Sequence, residues 1–199
     1  REKFAANIAA IQKLKEIEQR VANGGSPAFE DEQKILAQYT GWGGLSDAFD
    51  PNKSAWSNEY SQLKAALSES EYEAARSSTL TAFYTPATVI HPIYRALERF
   101  GVKGGKILEP SMGTGAFLAH GHFGSSDAKF YGVELDSITG RISKQLYQKA
   151  NIQVTGYENA LLPDNYFDCV IGNVPFGNFQ VNDPQYNRLH FPIHDYFFA

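Results

Sequence analysis

The sequence of 199 residues has little of several residue types and patterns, and each shortage excludes a class of protein. Cysteine occurs once, at Cys169, which excludes both an internal disulfide framework and a cluster of thiolate metal ligands. No apolar run approaches the ~20 residues that a membrane-spanning helix needs. Because the amino terminus also lacks the apolar stretch of a signal peptide, we expect a cytoplasmic protein with no membrane partner.

Basic residues are also in short supply, 18 against 22 acidic ones, and the net charge is −4. Affinity for nucleic acid depends largely on lysine and arginine side chains that neutralise phosphates. The composition therefore argues against a broad DNA-binding surface on this chain. No HExxH pattern or group of histidines and cysteines with ligand spacing is present, so no bound metal is expected.

The first part of the chain, residues 1–78, is predicted to be all helical. Apolar residues recur every three or four positions over residues 2–21, which gives one apolar stripe on a helix. A second helix is expected over residues 27–40, and a third over residues 57–76. We interpret residues 1–78 as a helical amino-terminal cap segment.

The second part, residues 79–199, changes to alternating strands and helices. Strands are predicted at 106–108, 129–134, 152–155 and 167–172, and helices near 87–100, 114–121 and 137–149. Short apolar strands separated by helical crossovers are typical of a parallel sheet covered on both faces. The expected fold class is therefore α/β, with a Rossmann-like sheet of about four parallel strands after the helical segment.

A glycine-rich turn follows the first predicted strand in the stretch "LEPSMGTGAFL", residues 108–118. Gly113 and Gly115 let the backbone turn tightly beside a ligand, while Glu109 ends the strand at the carboxyl edge of the sheet. Glu134 ends the next strand 25 residues later, where nucleotide-binding folds place an acid on ribose hydroxyls. Two such carboxylates favour a nucleoside with a cationic or amine-bearing tail over a polyphosphate. Since the spacing is not GxGxxG, a purely structural turn remains open.

A third stretch, "GNVPFGN" at 172–178, follows the last predicted strand. An aryl amine is a poor nucleophile because the ring delocalises its lone pair. An amide oxygen and a backbone carbonyl that both accept from the amine favour its tetrahedral form as it attacks a methyl group. Asn173 and the carbonyl of Val174 could be those acceptors, and Phe176 offers a face for a flipped base. An ordinary loop with an aromatic packed beneath it is the alternative.

Taken together these stretches resemble a known family. "FYTP" at 83–86, "EPSMGTGAFL" at 109–118, Glu134 and "NVPF" at 173–176 look like motifs X, I, II and IV of gamma-class DNA adenine-N6 methyltransferases, in the same order. The resemblance covers residues 79–199. It implies a class I methyltransferase core that binds S-adenosyl-L-methionine and methylates the exocyclic amine of adenine in DNA.

The resemblance also implies a role for each matched position. The implied cofactor-binding residues are Tyr84, Thr85, Pro86, Glu109, Pro110, Gly113, Gly115, Phe117, Glu134 and Glu158. Within this set, Thr85 would hold the methionine carboxylate and Glu134 the ribose. The implied catalytic residues are Asn173, Val174, Pro175 and Phe176.

Two positions depart from the family pattern. Glu158, in "GYENALLP", stands where the family usually has Asp-Phe. Val174 replaces the first proline of the usual Asn-Pro-Pro-aromatic motif. Because the chemistry needs only the carbonyl of residue 174, and Pro175 still favours an extended backbone there, we expect a looser loop that keeps its function.

A looser resemblance concerns the amino-terminal stretch "QYTGWGGL", residues 38–45, which is similar to methylase-helicase fusion proteins of phages and conjugative elements. It implies a restriction-modification, anti-restriction or mobile-element context and a fused helicase domain. Since the family's later strands and target-recognition region are absent, we expect a fragment, truncated after motif IV, whose longer protein binds double-stranded DNA elsewhere. The alternatives are a protein-glutamine amide methyltransferase, which uses a similar tetrapeptide, and a non-catalytic binding module of the same fold.

Overall fold

The computed structural model describes residues 1–80, 84–121 and 127–199. Its helices are α1 (Glu2–Ala22), α2 (Glu30–Leu36), α3 (Ser57–Ala66), α4 (Glu69–Ser78), α5 (Ala87–Arg99), α6 (Ala116–His120), α7 (Ser137–Leu146) and α8 (Ile193–Tyr196). Its strands are β1 (Lys106–Glu109), β2 (Lys129–Glu134), β3 (Asn151–Val154) and β4 (Cys169–Val170). None of the helices in these described ranges is long and apolar enough to cross a membrane.

Two compact units make up the chain. The first, here called the helical unit, consists of the described residues within Arg1–Phe83 together with Asp136–Gln148. The second, the sheet unit, consists of the described residues within Tyr84–Leu135 together with Lys149–Ala199. The helical unit is therefore built from two separate stretches of sequence. The functional division expected between residues 78 and 79 stays a prediction.

Helix α1 confirms the helix expected from its apolar spacing, with Ile11, Leu14 and Ile17 fully buried. The second helix begins at Glu30 instead of Pro27, because the Glu32 carboxylate accepts the Phe29 N–H (2.9 Å) and caps the helix there.

The single helix expected over residues 57–76 is wrong, since α3 and α4 are separate helices. Ser68 and Glu71 form a reciprocal capping box between them. The Ser68 hydroxyl accepts the Glu71 N–H (3.3 Å), and the Glu71 carboxylate accepts the Ser68 N–H (2.8 Å). The two bonds satisfy backbone donors that an uninterrupted helix would have used internally, so a new helix starts at this point.

Trp42 anchors the core of the helical unit and is only 1% exposed. Its ring packs edge-on against Phe49 and Tyr39, with centroid distances of 5.3 and 6.4 Å. The side chain of Asn7 fixes the neighbouring turn, because it donates to the Gly41 carbonyl (2.6 Å) and accepts the Thr40 N–H (3.0 Å). The turn after α2, which contains Gly41 and Trp42, is thus held on the core of the helical unit by a buried ring and a buried amide.

Helix α7 belongs to the same core although it follows β2 in the chain. Ile138 and Ile142 are buried among the aromatic and aliphatic residues of the helical unit. The Arg141 guanidinium donates to both carboxylate oxygens of Glu18 and to Glu71, each at 2.7 Å. Bidentate guanidinium–carboxylate pairs are geometrically specific, so these contacts fix the direction in which α7 packs.

The sheet has four parallel strands in the order β3-β2-β1-β4, which confirms the α/β, Rossmann-like expectation. Strand β1 lies centrally, with Glu109 in register with Gly132 of β2 and Leu108 in register with Val170 of β4. After β1 the chain adds β2 and β3 on one side of that strand, and it then returns to place β4 on the other side. This reversal makes the carboxyl ends of β1 and β4 the place where such sheets bind ligands.

Strand β4 is shorter than the predicted 167–172. On its amino side the Asp168 carboxylate accepts the Lys106 N–H (2.7 Å), so a side chain occupies a position in the ladder that a strand carbonyl would take. On its carboxyl side the Ile171 N–H donates to the Leu108 carbonyl (2.9 Å), after which the chain turns at Gly172. Packed against the sheet, α5 and α6 contribute Ile90, Tyr94 and Phe117 to a second buried cluster.

Candidate functional site

The polar residues singled out from the sequence follow the carboxyl ends of the four strands. Glu109 ends β1, Glu134 ends β2, Glu158 lies in a short turn after β3, and Asn173 follows β4. Because all four strands are parallel, these ends share one edge of the sheet.

Glu109 is the most unusual side chain at this edge. It is 3% exposed, and its Oε2 has no hydrogen-bond partner among the residues that the structure describes. Burial, reinforced by the negative charge of Glu134, raises the pKa of Glu109 well above its ordinary value. A buried carboxyl without a partner is costly to keep. It is therefore suited to a ligand that brings hydrogen-bond donors or a positive charge.

The glycine-rich turn is fastened to the end of β2. The Met112 N–H donates to the Val133 carbonyl (3.0 Å), and the Gly113 N–H donates to Oε2 of Glu134 (2.7 Å). Gly113 and Gly115 both have positive φ, 55° and 77°, and Gly115 precedes the first turn of α6. Only glycine adopts this backbone at low cost, so the loop can bring its main chain close to a ligand.

Residues 84–86 of the "FYTP" stretch lie at the start of α5, while Phe83 lies outside the described residues. The Tyr84 ring covers the glycine turn, since a Cβ on Gly113 would come within 2.6 Å of it. Thr85 is half-buried. The Pro86 carbonyl accepts the Val89 N–H (2.9 Å) and so begins the helix.

The remaining cofactor candidates differ in their surroundings. Phe117 is buried in the core of the sheet unit, and its carbonyl accepts the Tyr94 hydroxyl (2.9 Å), so its side chain supports the loop from inside. Pro110 is buried directly after β1. Glu158 is exposed, and its Oε1 accepts the side-chain amide of Asn159 (2.8 Å).

The "NVPF" loop lies against the glycine-rich turn. Gly172 faces β1 closely, because a Cβ there would be 3.5 Å from both Glu109 Cγ and Pro110 Cδ. The Ser111 hydroxyl donates to the Asn173 carbonyl at 3.3 Å. Phe176 is 63% exposed, which leaves its ring face available to a partner.

The two stretches are therefore joined through Ser111, a residue for which the sequence patterns predict no role. Ser111 stands inside the quoted glycine-rich stretch, between Glu109 and Gly113. Its position could have been noticed, but its contact with Asn173 depends on the neighbouring placement of β1 and β4. After this contact the chain continues through the half-buried Val174 and Pro175 to the exposed Phe176.

Comparison with known families decides what this arrangement belongs to. The family model "N-6 DNA Methylase" matches residues 69–193. The chain belongs to the N-6 DNA methylase family. The match confirms the resemblance drawn from the four motifs, and it includes all residues from Tyr84 to Phe176 discussed above.

Two curated proteins are similar to this chain. Defense against restriction protein B of Escherichia phage P1 is 29% identical over 155 residues, which are 77% of this chain and 5% of that protein. Modification methylase CviBIII of Paramecium bursaria Chlorella virus NC1A is 33% identical over 95 residues, 47% of this chain and 25% of that protein. The chain thus spans a quarter or less of each relative's length.

Two solved structures are also similar to this chain. One is a proposed S-adenosyl-L-methionine-dependent methyltransferase of Methanococcus maripaludis, with 21% identity, a TM-score of 0.35 and 43% of each chain covered. The other is a proposed class I S-adenosylmethionine-dependent methyltransferase of Listeria monocytogenes, with 17% identity and a TM-score of 0.44, covering 88% of this chain and 60% of that one.

Proposed function

We propose that the protein containing this chain transfers a methyl group from S-adenosyl-L-methionine to the exocyclic amino group of adenine in DNA. The observation that carries the proposal is the buried Oε2 of Glu109, which has no hydrogen-bond partner among the described residues and lies beside a glycine turn and beneath the loop that bears Asn173. Membership of the N-6 DNA methylase family supports the substrate.

The residues at the sheet edge fit this cofactor. Its methionine portion carries an ammonium group and a positively charged sulfur, which match a buried carboxyl whose Oε2 lacks a partner in the described part of the chain. Gly113 and Gly115 give the backbone the positive φ needed for close approach. Glu134 has two oxygens that can accept from ribose hydroxyls in addition to the Gly113 N–H.

Each remaining candidate has a role in this proposal. Thr85 holds the methionine carboxylate, Tyr84 and Pro86 shape the same side, and Glu158 accepts from the adenine of the cofactor. Pro110 and Phe117 support the loop from the core, where both are buried.

The bound cofactor supplies a methyl group on a positively charged sulfur, which a nucleophile can displace. Asn173 Oδ1 and the Val174 carbonyl accept hydrogen bonds from the target amine and so hold its protons away from the line of attack. Pro175 keeps residue 174 extended, and Phe176 stacks on the extruded base. Transfer to the amine would leave the cofactor as a neutral thioether, and the amine would lose one proton to solvent.

The partners and location belong to the same proposal. Double-stranded DNA is bound by parts of the protein outside these 199 residues, since the chain carries a net charge of −4. The stretch at residues 38–45 suggests a fused helicase. Because an enzyme that methylates DNA must work where DNA is held, we place it in the cytoplasm, in a restriction-modification, anti-restriction or mobile-element context.

Calorimetric titration of this chain with S-adenosyl-L-methionine tests the cofactor. We expect binding that is lost in Glu134→Ala and kept in Asp164→Ala, a matched change of an exposed carboxylate in the same unit. An absence of binding to the unaltered chain would contradict the cofactor assignment. Transfer of a labelled methyl group by the full-length protein to adenine-containing DNA tests the substrate. Labelling of a protein amide alone would overturn the adenine assignment.

A further inference from the structure

The loop after β4 is attached to β1 by a short series of contacts that stops at Asn173. The Ile171 N–H donates to the Leu108 carbonyl (2.9 Å), and Gly172 packs closely on Glu109. The Ser111 hydroxyl then donates to the Asn173 carbonyl (3.3 Å). Ser111 is thus the last anchor before the residues that would contact the substrate.

Beyond this anchor the loop is held loosely. Within the described part of the chain, residues 174–179 make no hydrogen bond to any other residue. Phe176, Gly177 and Asn178 are all exposed. The usual restraint is also missing, since Val174 does not fix its own φ as a proline at this position would.

We propose that Ser111 is a positioning residue that sets the orientation of the Asn173–Val174 peptide group. This inference rests on the proposed function, because it concerns the loop that presents the two acceptors. The carbonyl of Asn173 belongs to the peptide that leads into Val174, so a bond to that carbonyl limits rotation of the whole peptide plane. The Asn173 side chain and the Val174 carbonyl project from either end of that plane.

The hydroxyl takes over part of the restraint that a proline at residue 174 would supply. A proline acts through covalent geometry, whereas Ser111 acts through a hydrogen bond from the glycine-rich turn. The restraint therefore depends on the shape of that turn. Gly113 and Gly115, whose positive φ angles shape the turn, also belong to the proposed cofactor site. At 3.3 Å the bond is long for a hydroxyl donor, and hydrogen bonds in active sites commonly shorten when ligands bind.

A selective NMR label observes this contact directly. Asn173–Val174 is the only Asn-Val pair in the sequence, so carbonyl-¹³C asparagine combined with ¹⁵N-valine gives a single correlated signal. In the 199-residue chain we expect Ser111→Ala to move the carbonyl shift towards that of an unbonded amide and to broaden the signal. Ser111→Thr, which keeps the hydroxyl, should preserve the shift. An unchanged carbonyl shift in Ser111→Ala would overturn the proposal.

Kinetics of the full-length protein test whether the contact positions the acceptors. We expect Ser111→Ala to lower kcat by about 10- to 100-fold, the range for a slightly misplaced reactive group, while KM for the cofactor stays within about twofold. Val174→Pro should restore most of the lost kcat in the Ser111→Ala background. This rescue reports coupling between the two sites, which a general loss of stability would not produce.

The outcomes separate this proposal from the proposed function. If the full-length protein methylates DNA but Ser111→Ala keeps its full kcat, Ser111 has no positioning role and the function stands. If Ser111→Ala loses kcat but Val174→Pro gives no rescue, the shared restraint is wrong. If the unaltered protein transfers no methyl group, the proposed function fails, and the carbonyl signal still decides whether the bond exists.

Discussion

The two compact units treat their buried carboxylates in opposite ways. In the helical unit Glu71 is half-buried, and burial alone would raise its pKa. Hydrogen bonds from Arg141 and from the Ser68 N–H outweigh that effect and hold the pKa at about 2. Glu32 has a pKa lowered to about 2 by hydrogen bonds from Arg20 and the Phe29 N–H. Each of these carboxylates faces a guanidinium that belongs to the same unit.

In the sheet unit the corresponding group, Glu109, is not paired with a cation among the residues that the structure describes. Its nearest charged influence is Glu134, which has the same sign, and its pKa is raised. The helical unit therefore supplies a cation for each of these two carboxylates, whereas the described residues of the sheet unit supply none for Glu109. Carboxylates that are paired with a guanidinium hold helices together. A carboxyl without such a partner at the end of a strand is available to a ligand. Three substitutions, taken from the largest expected effect to the smallest, can break or sharpen this contrast.

The largest effect is expected from Asn173→Ala in the sheet unit. Removing one of the two acceptors at the reacting amine should lower kcat of the full-length protein by about 10²–10³-fold. Asn173 is exposed, so the melting temperature of the chain should not change measurably. Methyl transfer to DNA and thermal unfolding are the two measurements. Asn178→Ala, in the same exposed loop, is the matched control and should keep its activity; equal losses in both variants would remove Asn173 from the chemistry.

Glu109→Gln should increase stability at neutral and alkaline pH. Because the pKa of Glu109 is raised in the folded state, its favourable contribution is complete below the unfolded value near 4.3 and is lost as pH rises through the folded pKa. The amide cannot ionise, so the variant avoids that loss. We expect a melting temperature higher by about 2–4 °C at pH 8, with little difference at pH 4.

The same variant should lose affinity for S-adenosyl-L-methionine, since it lacks the carboxylate that would pair with the ligand's positive charge. Thermal unfolding across pH 4–8 and calorimetric titration make the comparison. If Glu109→Gln were less stable than the unaltered chain at pH 8, the carboxyl would already be satisfied within the fold, and the contrast between the units would fail.

Glu71→Gln should change the stability in the opposite direction and by a smaller amount. A lowered pKa gives stability that is present above the unfolded value and lost as pH falls through about 2. The variant should therefore be less stable by about 1 kcal/mol at pH 7, with the deficit shrinking towards pH 2. Glu30→Gln, which removes an exposed i,i+4 pair with Lys34, is the control and should change stability less. Denaturant unfolding at several pH values measures both, and equal deficits would show that Arg141 adds nothing at Glu71.

Much of the fold follows from patterns visible in the sequence. The apolar spacing of residues 2–21 predicts α1, and the alternation of short strands and helices predicts a parallel sheet. The errors lie where a side chain competes with the backbone. The Ser68–Glu71 pair divides a predicted helix, and Asp168 shortens the last strand. The first of these, an S-x-x-E capping box, was readable in the sequence.

The candidate site is predictable as a set of strand ends but not as an electrostatic environment. The order of the motifs predicts that Glu109, Glu134 and Asn173 lie at one site, because the strand ends of a parallel sheet meet at one edge. The missing partner of Glu109 and the contact of Ser111 with Asn173 depend on which strands are neighbours. Neighbour relations are long-range, so no local pattern of residues contains them.

The placement of α7 has a consequence for how the chain must be made. Ile138 and Ile142 complete a core whose other members precede residue 76, so that core remains unfinished on the ribosome until β2 has also emerged. A truncation after residue 78 would leave an apolar face uncovered and Glu18 without its guanidinium. Anyone wishing to express the amino-terminal helices alone would have to supply residues 137–146 as well, for instance by a linker that joins them directly to α4.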